Sequence, residues 1–570
     1  MTNQQIAKIL EEIADILEIQ GEIVFKVRAY RKAVETVSNL PKEISTLTEK
    51  ELRELPGIGE AIAKKVHTLA TTGKLDYYEE LKKSEFAPLV DLLQIPSVGP
   101  KHARMLYERL GVKTVSDLEK AAKEGKIKDL PGMGAKSEEN ILKGITALFR
   151  HKERIPLGQI LPKAEKIVEE LKKVKEVKNI ALAGSLRRMK ETIADGDILV
   201  SAVKPEPIME AFVKLPEVER VLSHGETKSS IITKDNFQVD LRVVRPESWG
   251  AALHYFTGSK SHNVKVRTLA VKKGLSVNEY GLWKGKKLLA SKTEEDMYKS
   301  LGLQWVPPEI REDWGEVELS AQHKIPRLIQ EEDIKGDLQM HTNWSDGRDT
   351  IEEMAKAACD LGYEYIAITD HSPLVGITGG LDEKRVRKQI EEIKKVNRKF
   401  KNFRILSGIE VDIRGDGVLD LPESVLKELD IVVATVHSRF NLPKEQMTKR
   451  IVKALENPVV DILGHPTGRL LGKRDPYEVD LDKVIDAALA NGKVLELNGS
   501  PDRLDLPDIW LRKAKDKGIK IAISTDSHRT EHLKEWMRYG VAYGRRGWLQ
   551  EEDVVNALPL NKFQRFFKIQ

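Results

Sequence analysis

The amino-acid sequence predicts a multidomain protein with an all-α N-terminal region, a mixed α/β middle region and a C-terminal barrel of seven strands alternating with helices. The chain has 570 residues, enough for three or four domains of about 150 residues each. An apolar-Pro-x-x-Gly motif recurs three times within the first 150 residues, between helical segments. Strand-like and helical segments alternate from residue 336 onward, which indicates parallel strands closed into a barrel.

Composition excludes several classes of protein. Apolar residues make up 40% and charged residues 32% of the chain, so it can bury several cores and is neither fibrous nor disordered. The single cysteine, Cys359, excludes a disulfide framework and a Cys-based zinc cluster. Its N-terminal helix carries acidic residues and no segment reaches 18 apolar residues in a row, so we expect a cytoplasmic protein with no membrane partner.

Positive charge is concentrated in the N-terminal part of the chain. Lys and Arg outnumber Asp and Glu by 5 in residues 1–320 and by 6 in residues 251–300 alone, whereas the counts are equal in residues 321–570. An excess of this kind is expected of a protein that binds phosphates. A solvated lysine-rich surface is the alternative.

The three repeats are LPGIGEAIAKKV from Leu55, IPSVGPKHARML from Ile95 and LPGMGAKSEENIL from Leu130. Each has a glycine turn before a helix, whose free N–H groups can bind a phosphate without reading base sequence. The pattern resembles the helix-hairpin-helix DNA-binding motif. This resemblance implies backbone contacts to DNA at Gly57, Gly59, Gly99, Gly132 and Gly134. Ordinary helix connectors are the alternative.

A carboxylate site is predicted in the run IALAGSLRRMKETIADGDILVSAV. Asp195 and Asp197 stand two residues apart at the start of a strand, so both can project to one side and share divalent ions. Asp240, in FQVDLRVV, can supply a third carboxylate from a neighbouring strand. Acids that share a cavity repel one another unless cations neutralise them, so the trio favours bound Mg²⁺ over a plain Asp-Gly-Asp turn.

Such a site suits nucleotidyl transfer. Two Mg²⁺ ions would activate a hydroxyl group for attack on a phosphorus, while Ser185 and Arg188 hold the triphosphate tail.

The segments GSLRR, DGD and VDLR, followed by HYFTGSKSHNVKVRTLAVKKGLSVNEYGL at 254–282, resemble DNA polymerase family X, the polymerase beta group. This resemblance covers about residues 1–315. It implies that Asp195 and Asp197 bind both Mg²⁺ (or Mn²⁺) ions and that Asp240 binds the ion near the primer 3′-hydroxyl. It further implies that Tyr255, Phe256 and Gly258 line a deoxyribose pocket. Asn263 would contact the incoming base, and Arg267 would contact the template strand.

The first helical domain resembles the lyase domain of that family, which opens abasic sugars through a lysine Schiff base. Lys65 falls at the position of the nucleophilic lysine, whereas Ala61 stands where eukaryotic relatives have another lysine. A phosphate contact is the alternative role of Lys65.

Polar or ionisable groups follow the strand-like runs of the C-terminal barrel. Function in such a barrel sits at the carboxyl ends of the strands, so these groups should converge on one mouth. The candidate metal ligands are His341, Asp346, His371, Glu410, His437, His465, Asp526 and His528. Nitrogen and oxygen ligands suit Mn²⁺, Zn²⁺ or Fe²⁺. Histidines satisfied within the core are the alternative.

This part resembles the PHP domain of polymerases and histidinol phosphatases, a distorted (β/α)7 barrel with a trinuclear metal site. The resemblance implies an Mn²⁺ or Zn²⁺ cluster and a 3′ to 5′ exonuclease, with cleavage at abasic sites or 3′-phosphates as further activities. The first motif of that family usually reads His-x-His, but here it reads Gln339-Met340-His341. Glu496 and Asn498 also end a strand and are candidates to support the ligands.

Together these features predict a monomeric bacterial DNA repair polymerase that fills short gaps in gapped or primed DNA with dNTPs and trims 3′ ends. Three alternatives stay open: a nuclease whose polymerase region only holds DNA, a non-enzymatic DNA scaffold, and a small-molecule phosphatase. The expected domains are lyase-like (1–85), fingers-type helix-hairpin-helix (86–155), nucleotidyltransferase palm (156–250), thumb-type (251–315), linker (316–335) and PHP barrel (336–570).

Overall fold

The computed structural model describes residues 3–38, 44, 47–55, 57–95, 98–152, 154–374 and 376–569. The chain divides into two compact units, Met1–Glu153 and Arg154–Gln570. Among the described residues, no helix combines the length and the apolar character needed to cross a bilayer.

The first unit, here the helical unit, confirms the predicted all-α region. Its helices are α1 (Asn3–Gln20), α2 (Val24–Ser38), α3 (Glu49–Arg53), α4 (Glu60–Thr72), α5 (Asp76–Lys82), α6 (Pro100–Leu110), α7 (Val115–Lys123) and α8 (Ala135–Lys152), with a 3₁₀ helix at Ala87–Gln94. Two apolar clusters hold it together, one around Leu10 and Val66 and the other around Leu106 and Ile141. The helices bury one apolar face each, as their periodicity predicts.

The second unit begins with a five-stranded mixed sheet. Its elements are β1 (Ile155–Pro156), α9 (Leu157–Lys172), β2 (Asn179–Leu182), α10 (Gly184–Arg187), β3 (Thr192–Ile193), β4 (Gly196–Ser201), α11 (Glu206–Val213), β5 (Val218–His224), β6 (Lys228–Thr233) and β7 (Gln238–Val244). The strand order is β2-β4-β7-β6-β5, in which β4 and β7 are parallel and the other pairs antiparallel. Alternate residues of β7 are buried, so one face of the sheet is free to carry polar groups.

A thumb-type segment follows the mixed sheet. It contains α12 (Trp249–Thr257), α13 (Lys260–Lys272), the antiparallel strands β8 (Ser276–Asn278), β9 (Gly281–Lys284) and β10 (Lys287–Ala290), then α14 (Glu294–Ser300) and α15 (Glu316–Ala321). The region predicted as a linker, 316–335, is packed: α15 and the residues after it bury Val317, Leu328 and Ile329 against the rest of the unit.

The barrel confirms the predicted alternation of strands and helices. Its strands are β11 (Gly336–Asp337), β12 (Tyr365–Ile368), β13 (Arg404–Asp412), β14 (Ile431–Thr435), β15 (Ile462–Leu463), β16 (Val494–Asn498) and β17 (Ile521–Ser524), all parallel and in sequence order. Its helices are α16 (Ile351–Asp360), α17 (Glu383–Asn397), α18 (Glu423–Leu426), α19 (Lys444–Leu455), α20 (Leu481–Ala490), α21 (Asp508–Asp516), α22 (Thr530–Arg546) and α23 (Leu560–Phe567).

Polar contacts close the barrel between its first and last strands. Asp337 accepts hydrogen bonds from the backbone N–H (3.1 Å) and the hydroxyl (2.5 Å) of Thr525, and the backbone of Met340 bridges that of Ser527. At the opposite end, Phe563 of α23 stacks on Tyr365 of β12 with ring centroids 4.3 Å apart and covers the interior. The open mouth is therefore the end at which the strands finish.

Candidate functional sites

Three aspartates meet on adjacent strands of the mixed sheet. Asp195 immediately precedes β4, Asp197 lies within it, and Asp240 of β7 is the direct cross-strand partner of Asp197. In a parallel pair, residues in register project from the same face, so the predicted trio faces one side. Lys228 compensates part of the charge, because its Nζ lies 2.9 Å from Oδ2 of Asp240.

Close packing and charge both act on Asp197. Gly184 has φ +56°, and a Cβ atom there would lie 2.0 Å from Oδ2 of Asp197, so only glycine fits. Burial, together with the charges of Asp195 and Asp240, raises the pKa of Asp197 to about 7. A carboxyl group that ionises reluctantly beside two others is expected where cations normally compensate the charge.

A cavity of about 870 Å³ opens in front of two of these aspartates, Asp195 and Asp197. Ser185 and Arg188 line it, as do Asp195, Asp197 and Gly258. The two arginines of GSLRR differ in environment. Arg187 pairs with the buried Glu294 of the thumb-type segment (2.7 Å), whereas Arg188 faces the cavity and donates to the carbonyl oxygen of Thr257 (2.5 Å). The structure therefore makes Arg188, rather than Arg187, available to a ligand.

The predicted sugar and base contacts line the same cavity. Tyr255 is 41% exposed, so it is not a core aromatic. Phe256 lies edge-on to Tyr255 (centroids 5.1 Å apart) and beneath the guanidinium group of Arg242 (4.6 Å). Asn263 donates to the carbonyl oxygen of Tyr255 (2.7 Å), and Arg267 is exposed.

The glycine turns of the helical unit precede helices, as predicted. Gly59 and Gly99 are the N-cap residues of α4 and α6, and Gly134 immediately precedes α8. Neither N-cap has a side chain to bond the first helical N–H groups. Among the described residues, nothing lies within 4 Å of where a Cβ atom would stand at Gly59, Gly99 or Gly134, so internal packing does not require glycine there. The backbone of these turns is therefore open to close approach by a ligand.

Two further glycines differ from these. Gly57 and Gly132 have φ of +82° and +76°, the left-handed conformation that favours glycine. At Gly57 a Cβ atom would also collide with Lys32 (2.3 Å).

Lys65 lies among aromatic side chains in the helical unit. Its Nζ donates to the hydroxyl of Tyr30 (2.5 Å) and lies 3.7 Å from the ring centroid of Tyr77. Burial, with a smaller contribution from Lys26, lowers the pKa of Lys65. That is the direction an amine nucleophile requires.

All eight predicted ligands of the barrel converge at its mouth. Glu410, only 1% exposed, is the centre of the cluster. Four imidazole nitrogens approach its carboxylate: those of His465 (2.9 Å), His371 (3.1 Å), His341 (3.3 Å) and His437 (3.4 Å). Asp526 lies 3.1 Å from Nε2 of His341.

A second group forms around Asp346, on the loop after β11. Its carboxylate lies 3.4 Å from His528, 3.5 Å from His371 and 3.9 Å from His341. The side chains form three sets, and within each set the donor atoms all lie within 4.8 Å of one another. The sets are His341, Asp346, His371 and His528; His371, Glu410 and His437; and His341, Glu410 and Asp526.

The donor atoms fit divalent cations. Several are buried without a hydrogen-bond partner among the described residues, including Nδ1 of His341 and Nδ1 of His465. Unpaired buried polar atoms are costly, and a metal ion or ordered water removes the cost. Gln339, the departure from His-x-His, has both amide atoms buried, and neither has a hydrogen-bond partner in the described part of the chain. The structure thus supports divalent metal binding without identifying the ion.

Protons compensate the charge of this cluster in the metal-free protein. Burial alone would lower the pKa of His371, but Glu410 and Asp346 raise it to about 9. Burial would also lower the pKa of His528, but Asp346 and Asp526 raise it to about 9. The pKa of Glu410 is held well below its usual range: burial opposes this, but His371 and His437 outweigh it.

Sequence reasoning missed several polar groups that support these sites. Asp370 accepts hydrogen bonds from Thr342 (2.8 Å), Ser345 (2.5 Å) and Gln389 (2.6 Å), which fixes the loop that carries Asp346. Arg503 places Nε 3.3 Å from Oδ2 of Asp526.

A second missed carboxylate left a detectable signal. Asp412 lies 3.5 Å from Nδ1 of His437 and stands two residues after Glu410 on β13, so alternation along the strand could have found it. Of the residues noted as supporting candidates, Asn498 donates to Asp526 (3.1 Å), and Glu496 accepts a hydrogen bond from the backbone N–H of His465 (2.6 Å).

Comparison with known proteins identifies the family. The chain is 39% identical over 572 residues to the DNA polymerase/3′-5′ exonuclease PolX of Bacillus subtilis strain 168, and the alignment covers 100% of both chains. The chain belongs to the PolX family. Its 570 residues therefore match a PolX protein over the helical unit, the mixed sheet, the thumb-type segment and the barrel together.

Four family models agree with this PolX assignment. A helix-hairpin-helix domain matches residues 1–75, a SAM-like helix-hairpin-helix tandem residues 89–146, a DNA polymerase beta thumb residues 252–312, and a PHP domain residues 337–500. Shorter relatives match about a third of the chain. Probable phosphatases of Thermoanaerobacter sp. strain X514 and Caldanaerobacter subterraneus are 36% and 34% identical over 189 residues, which is 31% of this chain and 72% and 70% of theirs.

Asp197→Asn is expected to stabilise the metal-free protein at pH 8. The pKa of Asp197 is about 7 in the folded state and 3.8 in the unfolded chain, so the folded protein holds this proton more tightly. The free energy of unfolding therefore falls as the pH rises from about 4 to about 7. Asparagine avoids that loss. In EDTA the variant's Tm should exceed that of the wild type by about 3 °C at pH 8, with the gap narrowing towards pH 4.

Mg²⁺ should raise the Tm of the wild type more than that of this variant. Asp235→Asn, in an exposed turn, is the control and should follow the wild type. A lower Tm for Asp197→Asn at pH 8 in EDTA would contradict the charge repulsion inferred here.

The barrel is expected to release protons when it binds Mn²⁺. His371 and His528 have pKa values of about 9, so both hold a proton at pH 7 that a metal ion must displace. Calorimetric titrations of EDTA-treated Asp197→Asn protein, in buffers of different ionisation enthalpy, should show release of about two protons. Adding His528→Ala should remove about one of them. Binding without proton release would show that the imidazoles are not ligands.

Proposed function

We propose that this chain extends DNA 3′ ends by metal-dependent nucleotidyl transfer at the mixed sheet and removes nucleotides from 3′ ends at the barrel. The carrying observation is that Asp195 and Asp197 line a cavity of about 870 Å³, within the range of small-molecule sites, and that Asp240 is the cross-strand partner of Asp197. A PolX relative named for both activities aligns with the whole chain. The expected substrates are gapped or primed DNA and dNTPs, acted on in the cytoplasm during gap-filling repair.

At the mixed sheet, each residue has a role that follows from its position. Asp195, Asp197 and Asp240 would hold Mg²⁺ or Mn²⁺, which neutralises phosphate charge and makes a hydroxyl a better nucleophile. Ser185 and Arg188 would bind the triphosphate, because both line the cavity beside the aspartates.

The cavity wall would select the nucleotide. Tyr255, Phe256 and Gly258 line it where the helix α12 ends, so they would contact the deoxyribose. Asn263 is anchored by its own amide to the backbone of Tyr255, which fixes its orientation towards a base. Arg267, one helical turn further along α13, would contact the template strand.

At the barrel, the residues around Glu410 and Asp346 would hold an Mn²⁺ or Zn²⁺ cluster. Such ions neutralise a phosphodiester and supply hydroxide near neutral pH. The protein contributes orientation: Asp370 fixes the loop of Asp346, and Asp412 accepts a hydrogen bond from the backbone N–H of His437 (3.1 Å). These contacts hold the ligands in place, as supporting groups do in other metal sites.

A phosphatase acting on small molecules is the second candidate, because probable phosphatases match 31% of the chain. A phosphatase function gives no role to the mixed-sheet site or to the glycine turns. The polymerase and exonuclease proposal therefore accounts for more of the molecule.

Asp197→Ala and His437→Ala should separate the two activities. On a labelled gapped duplex with dNTPs and Mg²⁺ or Mn²⁺, Asp197→Ala should lower extension by at least about 100-fold and leave degradation intact, because it removes a ligand of only one site. His437→Ala should do the reverse. Gel analysis of product length reads both activities from one reaction.

Matched controls are Asp235→Ala and His224→Ala, both exposed and outside the two sites. Loss of the same activity in both site variants would refute the assignment of two independent sites. Hydrolysis of small phosphate esters, with DNA left untouched, would favour the phosphatase.

The glycine turns can be tested with paired substitutions. Gly59→Glu should weaken binding of gapped duplex by about tenfold, because a carboxylate then faces the phosphate at the start of α4. Gly59→Ala should bind nearly as wild type, since φ is −79° and a Cβ atom meets nothing. Fluorescence anisotropy at two salt concentrations measures both variants. If Gly59→Glu binds gapped duplex with the same affinity as the wild type, this turn does not contact a DNA phosphate.

A further inference from the structure

Helix α22 of the barrel ends against the site on the mixed sheet. Its last residue, Arg546, and Asp508 of α21 line the same cavity as Asp195, Asp197 and Arg188. Both belong to the compact unit that contains the mixed sheet. A wall of the proposed nucleotide cavity therefore comes from the barrel, more than 300 positions further along the sequence.

The guanidinium group of Arg546 is bonded to the protein through all three of its nitrogens. Nε and Nη2 donate to Oδ2 of Asp508 (2.9 and 2.6 Å), and Nη1 donates to the carbonyl oxygens of Arg188 (2.7 Å) and Glu309 (3.2 Å) and to Oε1 of Glu312 (3.2 Å). Its side chain is 1% exposed. With every nitrogen bonded and almost no exposed surface, Arg546 cannot itself bind a nucleotide and acts through its neighbours.

Those neighbours define the position of Arg188. Glu312 accepts from Nε of Arg188 (3.0 Å) and from Arg546, so one carboxylate connects the two guanidinium groups. Arg188 also donates Nη1 to the carbonyl oxygen of Thr257 (2.5 Å), while its own carbonyl oxygen is held by Arg546. Both the backbone and the side chain of Arg188 are therefore anchored, and one of the anchors comes from the barrel.

We propose that Arg546 is a positioning residue for nucleoside triphosphate binding: the barrel holds Arg188 in the orientation that grips the triphosphate. This inference rests on the proposed polymerase function of the mixed sheet. It adds that the barrel contributes to that site through a fixed hydrogen-bond network, in addition to its own chemistry. A charged donor held in advance binds phosphate more tightly because less side-chain freedom is lost on binding.

The matched test is Arg546→Lys against Arg545→Lys. Arg545 is its neighbour on α22 and bonds Glu309 (2.8 Å) across the same interface, but it does not touch Arg188. Lysine at 546 keeps the charge and cannot bond Asp508, Glu312 and the carbonyl oxygen of Arg188 together. We expect Arg546→Lys to raise the KM for dNTP about tenfold with kcat and the KM for DNA changed less than about threefold. Arg545→Lys and the exonuclease rate of both variants should stay near wild type.

Glu312→Gln is a second variant that removes the shared anion without changing side-chain size, and it should also raise the KM for dNTP. An unchanged KM in folded Arg546→Lys overturns the proposal. An equal rise of the KM for dNTP in Arg545→Lys also overturns the proposal, because any weakening of the interface would then be enough to raise this KM. If the wild type fails to extend primers, the polymerase function itself fails. Calorimetric affinity for dATP with Mg²⁺, compared between the two lysine variants, still decides the role of Arg546.

Discussion

Both sites depend on carboxylates that are held together where little water can reach them, so their charge must be compensated. At the mixed sheet, three aspartates have one lysine, Lys228, within contact distance, and the pKa of Asp197 rises. In the barrel, four imidazoles surround Glu410 and its pKa falls. One site responds by keeping a proton on a carboxyl group and the other by placing protons on histidines. In each case a divalent cation would replace those protons, which is why both sites fit metals.

The features that could be predicted from the sequence are those that depend on residue spacing within a short segment. Glycine turns, alternation of strand and helix, and two aspartates two residues apart each follow from spacing within a short segment. The convergence of eight ligands at one mouth also follows, because parallel strands in a barrel finish at the same end. His465 and Asp526, which adopt positive φ at that end, show that the chain accepts an unfavourable backbone conformation to place ligands there.

The contacts that sequence could not predict join residues that no local pattern relates. Asp337 and Thr525, at the two ends of the barrel sequence, close it through a buried pair. Arg469 bonds Glu191 (2.8 Å), on the loop that leads to Asp195, although 278 positions separate them. The segment 316–335 has a proline and several acids typical of a linker, yet it is packed, because its apolar residues join a core made by distant elements. Such pairs depend on topology, which one sequence does not reveal.

The same contacts mean that sequence-defined domains are not the units of function in this chain. Arg469 also donates to the carbonyl oxygen of Arg503, and Arg503 lies 3.3 Å from Asp526, so a short series of bonds runs from the loop of Asp195 to the barrel cluster. Each member is buried or partly buried, where exchange with water costs most and geometry is held best. The helical unit, by contrast, has its own apolar clusters. The two proposed chemical sites, in contrast, lie within one compact unit, Arg154–Gln570.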